Sequence, residues 1–332
     1  MPARLSSRAL TCATLRQKLF QPPRTLPAIR IATLADLRQS RSPGRLDGKI
    51  ACVTGASSGI GRAIALAYHA EGAKVICADI SPDTRYNSND EETRGTTHDR
   101  INEADGHAIF SKVDVRKPAE VEALIKGAVK EFGRLDIMVN NAGLGVIEPP
   151  TAVWDTTEVQ WDMTQAVNSK GVFLGMKYAS RQMLKQDAFP SGDRGWIINI
   201  SSILGLVGTY EAVPYCASKG AVLNMTKAAA LDCAKYRIHV NAIGPGYTAS
   251  SMTEGIFADR ARQQELEREH PFRGLGTPED LAKAAVFLAS EDAQWITGVS
   301  FVFLSVEDMQ CELTVCSRSI FLSTVATLLG EA

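Results

Sequence analysis

The chain has 332 residues, 45% hydrophobic and 22% charged with 26 Gly, an ordinary globular composition that excludes collagen, coiled coil and wholesale disorder. A formal net charge of −1 argues against a nucleic-acid binder, and no apolar run reaches the roughly 20 residues of a bilayer span, so neither nucleic acid nor an integral membrane position is expected. The seven cysteines are scattered without a C-x-x-C pair, which argues against a zinc ribbon or redox dithiol and for a reducing, intracellular compartment.

Residues 1–45 hold eight Arg and one Lys against a single acid, Asp36. An Arg- and Ser-rich, acid-poor start reads either as a mitochondrial transit peptide or as a disordered basic extension. The expected location is therefore cytoplasmic or mitochondrial. From Gly48 onward, strand and helix patterns alternate. Strand-like runs occur at 50–54, 74–78, 108–113, 135–139, 196–200, 238–242 and 299–304, apolar at nearly every position, as strands buried on both faces must be. Helical periods lie between them at 61–70, 119–132, 160–184, 217–235 and 278–288. The last follows Thr277-Pro278-Glu279-Asp280, an N-cap with Pro and acids in the first turn. This alternation predicts an α/β fold: a Rossmann-like doubly wound parallel sheet, one domain over 46–305, with helices on both faces. Residues 81–105 form a long polar connection with a helix expected from about 90 to 103. The charged stretch 250–273 reads as a candidate lid.

The chemistry sits at the ends of these strands. Val53-Thr54-Gly55-Ala56-Ser57-Ser58-Gly59-Ile60-Gly61-Arg62 closes the first strand and opens the first helix, with glycines spaced G-x-x-x-G-x-G. Glycines there permit a tight turn, and the helix N-terminus offers N–H groups to a pyrophosphate. Asp79 closes the second strand. A carboxylate at that place accepts hydrogen bonds from ribose hydroxyls and repels a 2′-phosphate, so NAD is expected in preference to NADP. Asn140-Asn141-Ala142-Gly143 closes the fourth strand, Ser201-Ser202 the fifth, and Tyr215-Cys216-Ala217-Ser218-Lys219 opens a helix. Tyr and Lys at i, i+4 share a helical face, where a cation stabilises a phenolate.

Together these residues resemble the short-chain dehydrogenase/reductase family, in its single-domain Tyr-x-x-x-Lys form, over about 46–303. The glycine loop, N-N-A-G, a Ser thirteen residues before the Tyr, and Y-x-x-x-K stand in the family's order. The resemblance implies that Tyr215 is the general acid–base, that Lys219 lowers its pKa and binds the nicotinamide ribose, and that Ser202 orients the substrate carbonyl. It implies that Asn168 holds a proton-relay water. The cofactor would be bound by Gly55, Ser57, Ser58, Gly59, Ile60, Gly61, Asp79, Asp114, Val115, Asn141, Ala142 and Gly143, and by Tyr215, Lys219, Pro245, Gly246 and Thr248. Asp114 and Val115 would bracket the adenine, and Pro245, Gly246 and Thr248 would meet the carboxamide. The expected reaction is hydride transfer between NAD(H) and a secondary alcohol or ketone. A homo-oligomer, dimer or tetramer, is implied as well.

Other residues read as structural. His69, His98, His107, His239 and His270 lack metal-ligand spacing, so no metal is expected, and Trp154 and Trp161 read as packing a helix face. The chain departs from the family after the last strand: no Gly-Gly turn follows, and 306–332 is an atypical tail that reads either as genuine or as a splice or gene-model variant. This leaves a second functional reading, a non-catalytic NAD-binding or scaffold protein. A third, a sugar-nucleotide epimerase or dehydratase of extended type, would need a shorter glycine loop and a larger C-terminal domain. The substrate pocket is expected from 144–150, 204–214 and 250–273.

Overall fold

The structure is a computed structural model that describes residues 44–83, 95–147, 149–270 and 274–302. The basic extension, the tail after 305, the first part of the helix expected at 90–103 and the end of the last expected strand lie outside the described residues.

Seven parallel strands form one sheet: β1 (Ile50–Thr54), β2 (Lys74–Asp79), β3 (Ala108–Lys112), β4 (Ile137–Asn140), β5 (Gly195–Ile200), β6 (Ile238–Gly244) and β7 (Ser300–Val302), in the spatial order 3-2-1-4-5-6-7. Strands β1, β4, β5 and β6 are buried at every residue, whereas the edge strands β3 and β7 are largely half-buried. This matches their largely apolar sequence, since a central parallel strand has a helix layer on each side.

One layer holds α1 (Gly59–Ala70) against a late helix, Pro278–Ala289. Ile64, Ala65 and Tyr68 meet Leu281, Ala282 and Ala285 in one apolar cluster, and the Tyr68 hydroxyl donates to Ala285 O at 3.1 Å. The opposite layer is built around α3 (Pro118–Phe132), α5 (Val172–Met183) and α6 (Val213–Ala234). Between these lie the short helices α2 (Thr97–Glu103) and α4 (Glu158–Thr164). Helices α7 (Glu254–Phe257) and α8 (Arg260–Glu269) precede the late helix, which is α9. The described part of the helix expected from about 90 begins at Thr97, where the Thr96 side chain accepts from Asp99 N. An acceptor at the N-cap sets the start that periodicity leaves open.

One helix differs from its sequence pattern. The single helical period at 160–184 is interrupted by a π-helical stretch, Gln165–Gly171, centred on Asn168. Side-chain periodicity does not reveal one extra residue in a turn, and such turns recur at functional sites. The pairing of Trp154 and Trp161 on a packed face is corrected: Trp154 is 82% and Trp161 41% exposed, because this part of the chain turns those rings outward.

The chain runs outward from β1 to β3, then returns to β4 beside β1, so loops after β1 and β4 diverge and open a crevice at the strands' C-terminal ends. Beneath the crevice, Asn140 Nδ2 donates to Asn199 Oδ1 at 2.8 Å, and Asn199 Nδ2 donates to Thr226 Oγ1 at 2.9 Å. Buried amides tied in this way fix β4, β5 and α6 at one height.

Candidate active site

The glycine loop crosses the top of β1. Gly55 is left-handed at φ +67, and a Cβ there would stand 2.7 Å from Asn141 Nδ2. Gly61 faces the loop from inside α1, where a Cβ would meet Gly55 O at 2.1 Å. Only glycine fits either place, which seats α1 directly on the loop. The N-cap Ser58 makes no side-chain capping bond, and the first turn of α1 carries no acid. The leading N–H groups of α1 therefore face the crevice without a built-in anion, as a pyrophosphate requires.

Thr54 joins the two loops. Its hydroxyl accepts from Asn141 N at 3.0 Å and Ala142 N at 3.1 Å while donating to Val139 O at 3.2 Å. Asn141 Nδ2 then donates to Thr54 O and Gly55 O. Thr54 lies outside the site residues expected from the motifs; a hydroxyl at the last strand position before Gly55 is the signal the sequence carries for it.

A cleft of about 520 Å³ runs across these loops. It is lined by the expected Gly55, Ser58, Gly59, Ile60, Asp79, Asp114, Val115, Asn141, Ala142 and Gly143, and by Ser202, Tyr215, Lys219, Pro245, Gly246 and Thr248. Ser57, Gly61 and Asn168 do not line it. Ser57 fastens the loop instead: its N–H donates to Asp79 Oδ2 at 3.1 Å and its hydroxyl to Ser81 O at 2.6 Å. The stretch read as a candidate lid contributes Ser250, Ser251, Met252, Thr253 and Glu254 to the cleft. Arg116 and Met163 line it as well, and neither was expected.

Helix α6 begins two residues before Tyr215, with Pro214 in its first turn, so Tyr215 lies close to the helix start and Lys219 one turn on. Ser202 lines the same cleft as the Tyr215 phenol, and its Oγ accepts from Leu204 N at 3.2 Å. Ser201 points elsewhere, donating to Lys219 O at 2.8 Å. The Lys219 ammonium is buried, donates to Ile200 O at 3.1 Å and stands 5.6 Å from the Tyr215 ring centre. Burial pushes this amine down to about 8. Burial also raises the Tyr215 phenol above its ordinary value, with the nearby Ser202 hydroxyl opposing. The expected lowering by Lys219 does not enter this shift, and burial sets its direction, because desolvation penalises the charged form of each group.

Asn168 is fully buried. Its Oδ1 accepts from Leu144 N at 2.8 Å, and Nδ2 donates to Leu144 O at 3.0 Å and Ser218 Oγ at 3.1 Å. Both amide hydrogens are occupied, so the side chain clamps the strand β4 loop rather than donating toward the cleft. A Cβ on Gly143 would lie 3.4 Å from Asn168 Oδ1 and 3.6 Å from Lys219 Nζ, which keeps this floor of the cleft open.

At the other end, Asp114 and Arg116 form a paired-tooth ion pair. Arg116 Nε donates to Asp114 Oδ1 at 2.9 Å and Nη2 to Oδ2 at 2.7 Å. Arg116 holds the Asp114 carboxyl below its usual range, chiefly through these bonds. Beside Tyr215, a cavity of about 20 Å³ has a mixed lining that includes Val146, Ile147, Thr151, Gln160 and Glu211. Among the described residues no cluster of three or more His, Cys, Asp or Glu could hold a metal ion. No helix there is long and apolar enough to cross a membrane.

A family model described as enoyl-(acyl carrier protein) reductase matches residues 55–303. A 2,5-dichloro-2,5-cyclohexadiene-1,4-diol dehydrogenase of Sphingobium indicum is 39% identical over 255 residues, covering 77% of this chain and 94% of its own. A short-chain type dehydrogenase/reductase from Mycobacterium marinum has a solved structure with TM-score 0.69 and 32% identity, covering 78% of this chain and 95% of that one. An NADP-bound structure from Agrobacterium tumefaciens, provisionally named as a 2-deoxy-D-gluconate 3-dehydrogenase, gives TM-score 0.68 and 32% identity over 80% of this chain and 98% of that one. With its parallel sheet, glycine loop and Ser–Tyr–Lys cleft, the chain belongs to the short-chain dehydrogenase/reductase family.

Proposed function

We propose that this oxidoreductase transfers hydride between NAD(H) and a secondary alcohol or ketone, with Tyr215 as general acid–base. The observation that carries the reading is a single cleft shared by Ser202, Tyr215, the buried Lys219 ammonium, the glycine loop and Asp79. The residues present fit a dinucleotide. The uncapped start of α1 suits a pyrophosphate, Asp79 retains lone pairs for ribose hydroxyls, and Gly143 leaves open a floor that a Cβ would narrow. Asp79 also supports NAD over NADP, since a carboxylate repels a 2′-phosphate; the NADP seen in the Agrobacterium relative belongs to that protein.

When bound, the nicotinamide supplies or accepts the hydride. In the reduction direction, the Tyr215 hydroxyl gives its proton to the substrate oxygen, while Ser202 donates a second hydrogen bond to that oxygen or to the phenolate left behind. Lys219 supplies positive charge near the phenolate as it forms. The raised phenol keeps its proton until a substrate oxygen arrives, which suits an acid more than a standing base. Asn168 acts as a positioning residue through Leu144, and its remaining lone pair on Oδ1 is what it can offer to a proton path.

The test is a panel of secondary alcohols and ketones, followed through nicotinamide absorbance with NAD(H) and NADP(H). Turnover with at least one substrate, and preference for NAD(H), is expected. Cofactor binding without turnover across the panel would favour the non-catalytic reading.

A further inference from the structure

Arg116 was not expected at the site, yet it lines the cleft together with Asp79, Ile80 and Asp114. Its side chain is held along its edges. Nε bonds both Asp114 oxygens at 2.9 and 3.1 Å, Nη2 bonds Oδ2 at 2.7 Å, and Nη1 meets Met163 Sδ at 3.1 Å. Its own backbone N–H adds a bond to Asp114 Oδ1 at 3.0 Å. Asp114 is in turn fixed by its N–H, which donates to Glu120 Oε2 at 2.8 Å, while Glu120 Oε1 takes Lys117 Nζ at 2.8 Å. The guanidinium is thus a flat cation whose in-plane donors are engaged on three nitrogens, and whose charge is already compensated by a carboxylate.

With three of its five N–H groups engaged and its charge compensated, this guanidinium offers its faces more than a free cation's charge, and those faces stack on aromatic rings, an interaction that a lysine ammonium does not reproduce. Ile80, 55% exposed, also lines the cleft and is an apolar surface unaccounted for by packing. We propose that Arg116 is a base-binding residue of the cofactor site: pinned by Asp114 and Met163, it stacks on the purine of an adenine nucleotide. This rests on the reading of the cleft as a dinucleotide site. It also separates two roles that an arginine beside the adenosine end could play. An Arg bound to Asp114 through both oxygens is not a free counter-ion for a 2′-phosphate, so its contribution falls on the base and is the same for NAD and NADP.

The experiment is calorimetric titration of the full chain with NAD, NADP, AMP and nicotinamide mononucleotide, for the wild type, Arg116→Ala and Arg116→Lys. Arg116→Ala should weaken NAD and AMP alike by about two- to fivefold, as a stacked cation is worth roughly 0.5–1 kcal/mol when exposed. Nicotinamide mononucleotide should bind as to the wild type, and Arg116→Lys should recover little. Recovery by Lys, or a loss confined to NADP, would show a charge contact with phosphate and overturn the proposal. Equal weakening of AMP and nicotinamide mononucleotide would show general damage to the cleft and overturn it as well. If the wild type binds NAD while Arg116→Ala binds AMP equally well, this inference alone fails. If the wild type binds neither NAD nor AMP, the dinucleotide reading falls and takes the inference with it.

Discussion

The backbone N–H of Ser57 donates to Asp79 Oδ2 over 3.1 Å, so the carboxylate at the end of β2 also fastens the glycine loop at the end of β1. Asp79 Oδ1 accepts the N–H of Ile80 at 2.8 Å, which leaves each oxygen one bonded amide and spare lone pairs facing the cleft. One side chain therefore shapes the loop and sets the charge that a ribose would meet.

The two roles separate by substitution. Asp79→Ala should weaken NAD, narrow the preference over NADP, and cost about 1 kcal/mol of stability through the lost acceptor. Asp79→Asn keeps an oxygen for Ser57 N–H, so it should relax cofactor preference with little change in melting temperature. Comparing kcat/KM for both cofactors with thermal unfolding of both variants checks this; an Asn variant as selective as the wild type would refute the charge argument.

Tyr215→Phe removes the only ionisable oxygen of the Ser202–Tyr215 pair and keeps the ring. Turnover should fall by about 10²- to 10⁴-fold, the usual contribution of a general acid–base. NAD affinity, measured by titration, should stay within severalfold. Turnover near the wild-type rate would remove Tyr215 from the mechanism.

Ketone reduction needs the phenol protonated and the neighbouring amine charged. Lys219, at about 8, loses its proton before the raised Tyr215 does. The pH profile of kcat/KM for reduction should therefore fall above pH about 8, and Lys219→Arg, which keeps its charge, should lose that limb even if its rate is lower. A profile flat to pH 10 in the wild type would contradict this order.

Lys49 lies at the opposite end of the sheet, 3.5 Å from the Trp196 ring centre, with its ammonium donating to Ala289 O at 2.8 Å. Burial lowers this amine to about 8, below its unfolded value of 10.5. Between those two values the unfolded chain binds more protons than the folded one, so Lys49 adds stability as pH rises through that window. Above pH 9 the buried thiols of Cys52 and Cys77, raised by burial, act in the opposite direction. Wild-type stability minus that of Lys49→Met isolates the lysine and should rise from pH 8 to 10.5 in denaturant titrations. A difference that falls over that range would reverse the assignment.

Gly175 of α5 faces the buried amide chain under the cleft, where a Cβ would stand 1.8 Å from Asn140 Oδ1. Gly175→Ala should break the Asn140–Asn199 bond or push α5 outward, costing about 2–4 kcal/mol by overpacking and an unsatisfied amide. Thermal unfolding checks it, and an unchanged transition would show that α5 shifts freely.

Much of this molecule was legible in one dimension. Apolar runs separated by helical periods specify a parallel sheet because a strand covered on both faces admits a polar side chain only where a partner meets it; β1, β4, β5 and β6 are buried at every residue, and their few polar ones, such as Asn140 and Asn199, are hydrogen-bonded. The glycine loop was legible because turn backbone and close helix approach exclude other residues, as the contacts at Gly55 and Gly61 show. The thirteen-residue offset selects Ser202, which lines the cleft with Tyr215, while the Ser201 hydroxyl turns to a backbone carbonyl. What pattern does not contain is the partner of each polar atom. Ser57 and Gly61 belong to the motif yet serve the loop rather than the cleft wall, and Asn168 spends its amide on Leu144 and Ser218. Arg116 gains its fixed plane only because Asp114 and the distant Met163 close around it. The direction of the Tyr215 shift was likewise settled by burial, since desolvation depends on everything packed around the phenol and local spacing records only the lysine one turn away.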